Sequence, residues 1–162
     1  MKFISHSLLE TEDFAKKYIG DFLRLKEGAF VIGLYGNLGS GKTAFTQAFA
    51  RLLGISDGVT SPTYVIEKIY PLSNSLSSAN SQVSPMVFPH VMGAFTHLIH
   101  IDAYRLESYE EMKHLGWAEI VANPKNIIVV EWPERIAPLL PTDHARLKFT
   151  FIDETTREIE IQ

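Results

Sequence analysis

Residues 36–43 combine glycines, a lysine and a threonine at a spacing that suits the binding of phosphate groups. The pattern G-x-x-x-x-G-K-[ST] is matched by Gly36-Asn37-Leu38-Gly39-Ser40-Gly41-Lys42-Thr43. Glycines let the backbone wrap so that successive N–H groups point at phosphate oxygens, and a helix that follows adds the positive end of its dipole. In such a loop the lysine reaches the β- and γ-phosphates, and the threonine hydroxyl is a Mg²⁺ ligand. The pattern predicts a nucleoside triphosphate site from Gly36 to Ala44.

Two carboxylates are candidates to complete this site. Asp102 follows the apolar run His97–Ile101, and Glu131 follows the run Ile127–Val130. The carboxyl ends of parallel strands meet at one edge of a sheet, so both side chains are expected beside the glycine-rich loop. Mg²⁺ prefers oxygen ligands. Position alone does not decide which carboxylate holds the metal and which orients water, or whether one of them only caps a helix.

Two further residues stand close to these carboxylates in the sequence. In a strand, His100 and Asp102 share a face whereas His97 points to the opposite one, so His100 is expected to line the site or support Asp102. Trp132, directly after Glu131, is expected to be a core residue or to shield the site from water. Arg105 and Arg135 are interpreted as surface or salt-bridging residues, with contact to phosphate as the alternative.

The elements that position these residues are short apolar strands alternating with helices. Predicted strands are Ala29–Tyr35, Tyr64–Tyr70, Thr96–Asp102 and Asn126–Glu131. Predicted helices are Thr11–Leu25 with Thr11 as N-cap, Ala44–Leu53, Ser108–Leu115 and Trp117–Val121. Two alternating runs, Arg146–Ile152 and Arg157–Ile161, flank a turn at residues 153–156. The pattern predicts an α/β fold of the P-loop NTPase type, with a mainly parallel sheet flanked by helices and an antiparallel C-terminal hairpin.

Composition limits the class of protein. With 162 residues and 46% hydrophobic residues, the chain is long enough for one domain, residues 1–162, with a full core. The absence of cysteine excludes a disulfide scaffold, a zinc ribbon and a thiol nucleophile. Neither a membrane span nor a signal-peptide core is visible, so we expect a cytoplasmic protein. The net charge of −4 and the lack of a basic run indicate that any nucleic acid is contacted only through another protein.

One segment departs from the strand–helix alternation. Residues 71–100 contain no charged side chain, and residues 73–84 include six serines and two asparagines. We interpret residues 71–95 as a flexible insertion. An alternative is a partner-docking loop, since it also contains apolar residues, namely Val87, Phe88, Val91, Met92 and Phe95.

Three function classes fit the phosphate loop. A GTPase or a transporter ATPase is not favoured, because the chain has neither an N-K-x-D string after the loop nor an L-S-G-G-Q string. A small-molecule kinase usually has an arginine-bearing lid, and the long uncharged segment has no arginine. The classes that stay open are an ATPase, a small-molecule kinase as runner-up, and a nucleotide-dependent binding module with little turnover.

Several strings taken together identify a resemblance. GLYGNLGSGKT at residues 33–43, SPTY at 61–64, HIDAYRL at 100–106, VEWPERI at 130–136 and LP at 140–141 resemble the TsaE family, formerly YjeE. These are small P-loop ATPases of bacterial tRNA threonylcarbamoyladenosine synthesis. The resemblance covers nearly the whole chain in the same order.

The resemblance implies an activity and its partners. Members of the family bind ATP and Mg²⁺, hydrolyse ATP slowly alone, and work with the TsaB–TsaD pair, in which TsaD modifies the tRNA. ATP hydrolysis by the TsaE subunit resets that assembly and does not perform the transfer. Asn37 stands where the family commonly has an acidic residue, a change that spares phosphate binding because the backbone forms the cradle.

The resemblance also assigns roles to residues. Lys42 and Thr43 keep their phosphate-loop roles, Glu131 is the Mg²⁺-side carboxylate, and Asp102 is essential for hydrolysis. The segment Thr60-Ser61-Pro62-Thr63 resembles a switch that senses the γ-phosphate, and Trp132 packs beside the site. The adenine is expected between the start of the first helix, near Thr11, and the C-terminal hairpin, near Arg157.

Overall fold

A computed structural model describes residues 1–19, 27–55, 58–60, 62, 65–72 and 94–162 of the chain. The strands are β1 (Lys2–Ser5), β2 (Phe30–Tyr35), β3 (Glu67–Pro71), β4 (His97–Asp102), β5 (Asn126–Glu131), β6 (Ala145–Phe151) and β7 (Arg157–Ile161). The α-helices are α1 (Leu8–Phe14), α2 (Lys42–Leu52), α3 (Tyr109–His114) and α4 (Trp117–Ala122). A π-helical turn (Ala15–Ile19) continues α1, and 3₁₀ turns follow β4 (Ala103–Arg105) and β5 (Pro133–Leu139).

The strands form one seven-stranded sheet with a parallel centre. The order is β1-β7-β6-β2-β5-β4-β3, and the pairs β6·β2, β2·β5 and β5·β4 are parallel. Strands β2 and β5 are apolar along almost their whole length because both faces of the sheet are covered. The fold class predicted from the sequence, a mainly parallel α/β sheet with an antiparallel C-terminal hairpin, is confirmed.

The core lies on both faces of the sheet. On one face α1 and α2 pack Phe14, Phe45 and Phe49 against the sheet, where they meet Phe149 of β6. On the other face the shorter elements contribute Met112, Trp117 and Ile136. The face under α2 also receives the side chains at alternate positions of β4 and β5, including Leu98, Ile127 and Val129. The carboxyl ends of the parallel strands therefore open beside the start of α2.

The first helix begins earlier than the sequence predicts. Ser7 is its N-cap, and its hydroxyl accepts a hydrogen bond from the backbone N–H of Glu10. The prediction of Thr11 as N-cap is wrong, because Thr11 lies within α1 and is buried. The hydroxyl of Thr11 is 2.8 Å from that of Ser5 and donates to the carbonyl of Ser7. Of the predicted range, residues 20–25 lie outside the described residues.

The two edges of the sheet differ from the sequence expectation. Strand β1 was not predicted, and it pairs antiparallel with β7. Strand β3 pairs antiparallel with β4. The predicted flexible insertion, 71–95, lies between these two strands; residues 73–93 are outside the described residues. At its ends, Pro71 belongs to β3, the N–H of Leu72 donates to the carbonyl of Thr96, and Phe95 is buried in the core rather than free to dock a partner.

Candidate nucleotide site

The glycine-rich loop connects β2 to α2 and needs glycine at its first position. Gly36 has φ of +136°, and a Cβ at this position would lie 2.3 Å from the carbonyl oxygen of Phe149 in β6. Gly39 and Gly41 also have positive φ, and Gly41 is the N-cap of α2. Only a residue without a side chain permits this close approach between the loop and β6. The backbone turns that this allows bring the loop over the amino end of α2.

Lys42 folds back over the loop that precedes it. Its Nζ donates to the carbonyl oxygens of Gly36 at 2.6 Å and Asn37 at 2.9 Å. The same Nζ lies 4.2 Å from the centre of the Trp132 ring, a cation–π contact. Burial lowers the pKa of Lys42 below its ordinary value of 10.5, and the carboxylates of Glu131, Glu134 and Asp102 act in the opposite direction. An added anion beside Nζ would favour the charged form further.

Thr43, Glu131 and His100 form a chain of hydrogen bonds. The Thr43 hydroxyl donates to Oε2 of Glu131 at 3.0 Å, and Oε1 of Glu131 is 2.9 Å from Nε2 of His100. Glu131 and His100 are buried. They lie on neighbouring parallel strands, with Val129 of β5 as the register partner of His100. Each carboxylate oxygen of Glu131 thus has its own partner.

Asp102 lies beside Glu131 at the same edge of the sheet. The two residues are register partners at the carboxyl ends of β4 and β5. Oδ1 of Asp102 accepts a hydrogen bond from the backbone N–H of Tyr104 at 3.1 Å and so caps the 3₁₀ turn that follows β4. The sequence expectation that both strand ends meet beside the loop is met in the structure. The geometry also gives Asp102 the capping role that was the alternative.

A cavity of about 510 Å³ joins these groups. It is lined by the loop and helix start from Leu38 to Ala44, by Asp102, Glu131 and Trp132, and by Tyr104 and Arg157. The rings of Tyr104 and Trp132 are 5.2 Å apart and close one side. Leu38 is 79% exposed at the tip of the loop. Ser40 is buried, and its Oγ has no hydrogen-bond partner among the described residues.

A second cavity of about 300 Å³ lies next to the first. It is shared between the start of the chain, α1 and the C-terminal hairpin, and among its lining residues are Ser5, Thr11, Phe149 and Ile159. Gly41, Ala44 and Arg157 line both cavities. Arg157 is held by its Nη1, which donates to the carbonyl oxygens of Asp153 and Thr156. Thr11 and Arg157, expected near the base of the nucleotide, thus border one cavity.

The predicted switch segment is described only in part. Ser61 and Thr63 lie outside the described residues. Thr60 accepts a hydrogen bond from the Nζ of Lys68, and the Pro62 carbonyl accepts from the N–H groups of Val65 and Ile66. Neither Thr60 nor Pro62 lines the two cavities. The switch role of this segment stays a prediction.

Sequence reasoning missed one contributor to the site and misassigned the contact of another. His100 was expected to line the site or to support Asp102, but its ring bonds to Glu131 on the neighbouring strand. The available signal was that His100 is a polar residue on the face shared with Asp102, in an otherwise apolar strand. Tyr104 was not singled out, although it follows Asp102 by two residues and lines the cavity.

The residues present fit phosphate and Mg²⁺. The backbone N–H groups of the loop and the Ser40 hydroxyl, which has no hydrogen-bond partner among the described residues, are donors that suit phosphate. Thr43 donates a hydrogen bond to Glu131, which leaves lone pairs of its hydroxyl oxygen available to a cation. Hydroxyl and carboxylate oxygens are ligands that suit Mg²⁺. In the bound state Lys42, the loop N–H groups and Ser40 would hold phosphate, and Thr43 and Glu131 would hold the metal.

The class of protein is defined by a strand, a glycine-rich loop and a helix at the centre of a parallel sheet, with two acidic strand ends beside the loop. This is a P-loop α/β fold. The family model "Threonylcarbamoyl adenosine biosynthesis protein TsaE" matches residues 5–159. The chain belongs to the TsaE family, which has a role in tRNA threonylcarbamoyladenosine biosynthesis. The resemblance inferred from the sequence is confirmed.

Known relatives cover most of the chain. The protein of Treponema pallidum named "tRNA threonylcarbamoyladenosine biosynthesis protein TsaE" is 32% identical to this chain. The match covers 85% of this chain and 85% of that protein. The TsaE protein of Aquifex aeolicus is 28% identical over 99% of this chain and 98% of its own. Among solved structures, YdiB of Bacillus subtilis is 25% identical with a TM-score of 0.61, over 99% of this chain and 83% of YdiB.

In the described ranges, none of the helices has the length and apolar character required to span a bilayer.

Proposed function

We propose that this chain binds and hydrolyses Mg²⁺-ATP as the ATPase subunit that supports threonylcarbamoyladenosine modification of tRNA, together with TsaB and TsaD. The observation that carries the proposal is the arrangement of Lys42, Thr43 and Glu131 around one cavity. These groups supply a cation for phosphate, a neutral oxygen and a buried carboxylate within one small volume. That combination is what a nucleoside triphosphate and its metal require.

Lys42 binds the β- and γ-phosphates in this proposal. In the structure its ammonium group donates to two carbonyls of its own loop. These carbonyls keep the Nζ close to the loop, so that only a short movement is needed to reach a phosphate oxygen. Charge-assisted hydrogen bonds to an anion are stronger than those to neutral carbonyls. The exchange of partners therefore favours the bound state.

Glu131 and Thr43 hold Mg²⁺, and Asp102 acts on water. When bound, the metal would neutralise charge on the phosphates. Glu131 accepts a hydrogen bond from the Thr43 hydroxyl, so the lone pairs of that hydroxyl oxygen would stay available as a ligand. Asp102 lies next to Glu131 at the same edge of the sheet, on the neighbouring strand, and lines the same cavity. That placement supports a role in orienting the attacking water.

The base of the nucleotide binds in the second cavity. Gly41, Ala44 and Arg157 border both cavities, so a triphosphate in the first would extend its ribose and base into the second. Thr11 lies at the wall formed by α1. Residues Thr60–Thr63 sense the γ-phosphate in this proposal, which rests there on the family motif alone. Trp132 covers the phosphate side and excludes water.

The partners supply the contact with tRNA. The net charge of −4 leaves this chain poorly suited to bind a phosphate backbone directly. Membership of the TsaE family gives a role in the biosynthetic pathway. We propose that TsaD carries out the transfer, that ATP hydrolysis here resets the complex, and that both occur in the cytoplasm.

The test is ATP turnover by the purified chain with Mg²⁺, alone and after addition of the TsaB–TsaD pair from the same organism. We expect slow hydrolysis alone and a clear increase with the pair. ATP binding without any response to the pair would contradict the partner-activated role and would direct attention to a phosphoryl acceptor, as for a kinase. Absence of ATP binding would contradict the proposal as a whole.

A further inference from the structure

The side chain of His100 is buried in the sheet with one polar partner and one nitrogen left over. His100 is fully buried, with an exposed fraction of 0%. Its Nε2 is 2.9 Å from Oε1 of Glu131, whereas its Nδ1 has no hydrogen-bond partner among the described residues. A carboxylate accepts hydrogen bonds, so Nε2 carries the proton of this bond.

The bond from His100 restricts how Glu131 can turn. The Oε1 atom is bound by the imidazole, and Oε2 is bound by the Thr43 hydroxyl at 3.0 Å. Without the imidazole, the carboxylate is free to rotate about its terminal bond, which has broad preferences. Oε1 would also be a buried acceptor without a partner. Either change would disturb the position of Oε2 next to Thr43.

The position of His100 on a strand makes this contact rigid. His100 belongs to β4, which is paired on one side with β5 and on the other with β3. Its neighbours on the same face include two apolar core residues, Leu98 two positions earlier and Val129 on β5. A side chain held in a close-packed core has few alternative rotamers. The imidazole can therefore act as a fixed support for a carboxylate at the cavity wall.

We propose that His100 is a positioning residue: its Nε2–H orients the carboxylate of Glu131 and thereby sets the affinity of the site for Mg²⁺. This inference deepens the proposed function and rests on it. His100 itself touches neither nucleotide nor metal. Hydrogen-bond partners of metal ligands commonly change metal affinity or activity by about 10- to 100-fold when they are replaced.

The main test compares His100→Leu with His100→Gln in nucleotide binding, using a fluorescent ATP analogue titrated with Mg²⁺ and, separately, with EDTA. Leucine removes the donor and keeps an apolar side chain of similar reach, whereas the glutamine amide can donate from about the same place as Nε2. We expect the leucine variant to need about 10- to 100-fold more Mg²⁺ for half-maximal binding. Glutamine should restore most of that affinity, and binding in EDTA should stay unchanged in both variants.

Leu98→Ala is the matched structural control. Leu98 lies on the same strand and face, is equally buried and belongs to the same core, but contacts no site residue by hydrogen bonding. Its truncation should lower the unfolding temperature, but the variant should need the same Mg²⁺ concentration as the wild type for half-maximal nucleotide binding. An equal shift in Leu98→Ala and His100→Leu would overturn the proposal, as would a Mg²⁺ requirement unchanged by His100→Leu.

A second measurement needs neither nucleotide nor metal. Thermal unfolding of His100→Leu, Glu131→Leu and the double variant forms a cycle that isolates the coupling between the two side chains. We expect the double variant to lose less stability than the two single losses together, because it leaves no buried group unpaired. Additive losses would overturn the inferred hydrogen bond. If the wild type does not bind the nucleotide, the proposed function fails, and this outcome is distinct from the two failures above.

Discussion

At the residue scale, the backbone of the phosphate loop holds the ammonium group of its own lysine. Lys42 donates to two loop carbonyls and lies over Trp132, so its charge is already partly satisfied. Burial nevertheless lowers its pKa, which shows that these partners do not replace full hydration. A phosphate would supply the missing anion. The loop is thus arranged to favour an anion at this point.

Replacement of Lys42 by alanine is expected to abolish productive nucleotide binding. Charge-assisted hydrogen bonds contribute about 1.5–3 kcal/mol each. The loss of two such bonds corresponds to a decrease in affinity of about 100-fold or more. Titration of a fluorescent ATP analogue measures this change. Lys125→Ala, at an exposed lysine next to the opposite end of β5, is the control and should retain wild-type affinity; similar losses in both variants would contradict a specific role for Lys42.

The substitution Asp102→Asn is expected to separate binding from hydrolysis. Asparagine keeps the oxygen that caps the 3₁₀ turn, so the fold and the nucleotide affinity should be retained. Loss of the negative charge should lower kcat by roughly 100-fold or more, which is typical of a group that assists proton transfer. Turnover and equilibrium binding should be measured on the same preparation, with the unfolding temperature as a check. Unchanged turnover would remove Asp102 from the proposed role.

At the element scale, the approach of the loop to β6 determines where the phosphate cradle lies. Gly36 and Gly39 both have positive φ, so alanine is conformationally strained at either position. They differ in their surroundings. A Cβ on Gly36 would lie 2.3 Å from the Phe149 carbonyl oxygen, whereas a Cβ on Gly39 would have no atom within 4 Å.

Both Gly36→Ala and Gly39→Ala introduce backbone strain, but only Gly36→Ala adds a clash with β6. The difference in stability between the two variants therefore measures the cost of that clash. Overpacking typically costs about 1–3 kcal/mol. We expect Gly36→Ala to lower the unfolding temperature by several degrees more than Gly39→Ala, since roughly 2–4 °C corresponds to 1 kcal/mol in a domain of this size. Thermal unfolding followed by circular dichroism gives the comparison. Equal unfolding temperatures would show that the loop can move away from β6 at little cost.

The edge strand β3 contains a carboxylate in an unfavourable environment. Burial raises the pKa of Glu67 above its ordinary value of 4.5, and Oε2 has no hydrogen-bond partner among the described residues. The folded protein therefore binds this proton more tightly than the unfolded chain does. The stability associated with the protonated form is fully present below the ordinary pKa and is lost as the pH rises through the raised native value.

Glu67→Gln is expected to be more stable than the wild type at pH 8, because the amide carries no charge to desolvate. The difference in unfolding temperature should narrow as the pH is lowered towards 4, where Glu67 in the wild type is protonated. Thermal unfolding across this range tests the sign. Glu107→Gln, at an exposed glutamate, should show no comparable trend. A stability difference that is constant with pH would indicate that charge on Glu67 is not the cause.

At the scale of the whole molecule, the two cavities are neighbours. One lies at the carboxyl ends of β4 and β5, and the other lies against the C-terminal hairpin. The connection from β3 to β4 joins two adjacent antiparallel strands at Pro71 and His97. Its described ends, Leu72 and Thr96, are bonded to one another. Neither end contributes to the cavity linings, so the connection is expected to be separable from nucleotide binding.

Deletion of residues 73–84 is expected to leave nucleotide affinity within about twofold of the wild type. Antiparallel neighbours can be joined by loops of only a few residues, so the strands β3 and β4 can stay paired. The measurement is the same titration used for Lys42→Ala. A variant in which these residues are exchanged for glycine and serine at equal length controls for the change in length. A collapse of affinity in the deletion alone would mean that loop length positions Asp102, and a collapse in both would assign the segment to the site.

The sequence by itself determined the phosphate loop, the parallel strands β2, β4 and β5, and the placement of Asp102 and Glu131 at one sheet edge. These follow from local patterns, because glycine spacing and apolar runs report conformations that neighbouring residues decide. The start of α1 at Ser7 and strand β1 were missed. Strand β1 is short and depends on pairing with β7, more than 150 residues away along the chain, a contact that no local pattern contains.

Only the tertiary structure decided which groups meet around the site. Periodicity placed His100 on the face of Asp102, but the register between β4 and β5 gives its ring to Glu131. Glycine at position 36 was expected to let the loop wrap around phosphate, whereas the structure shows a further reason for it, the carbonyl of Phe149 on another strand. A side chain's partners across a sheet depend on strand order and register, and these are set by the packing of the whole core.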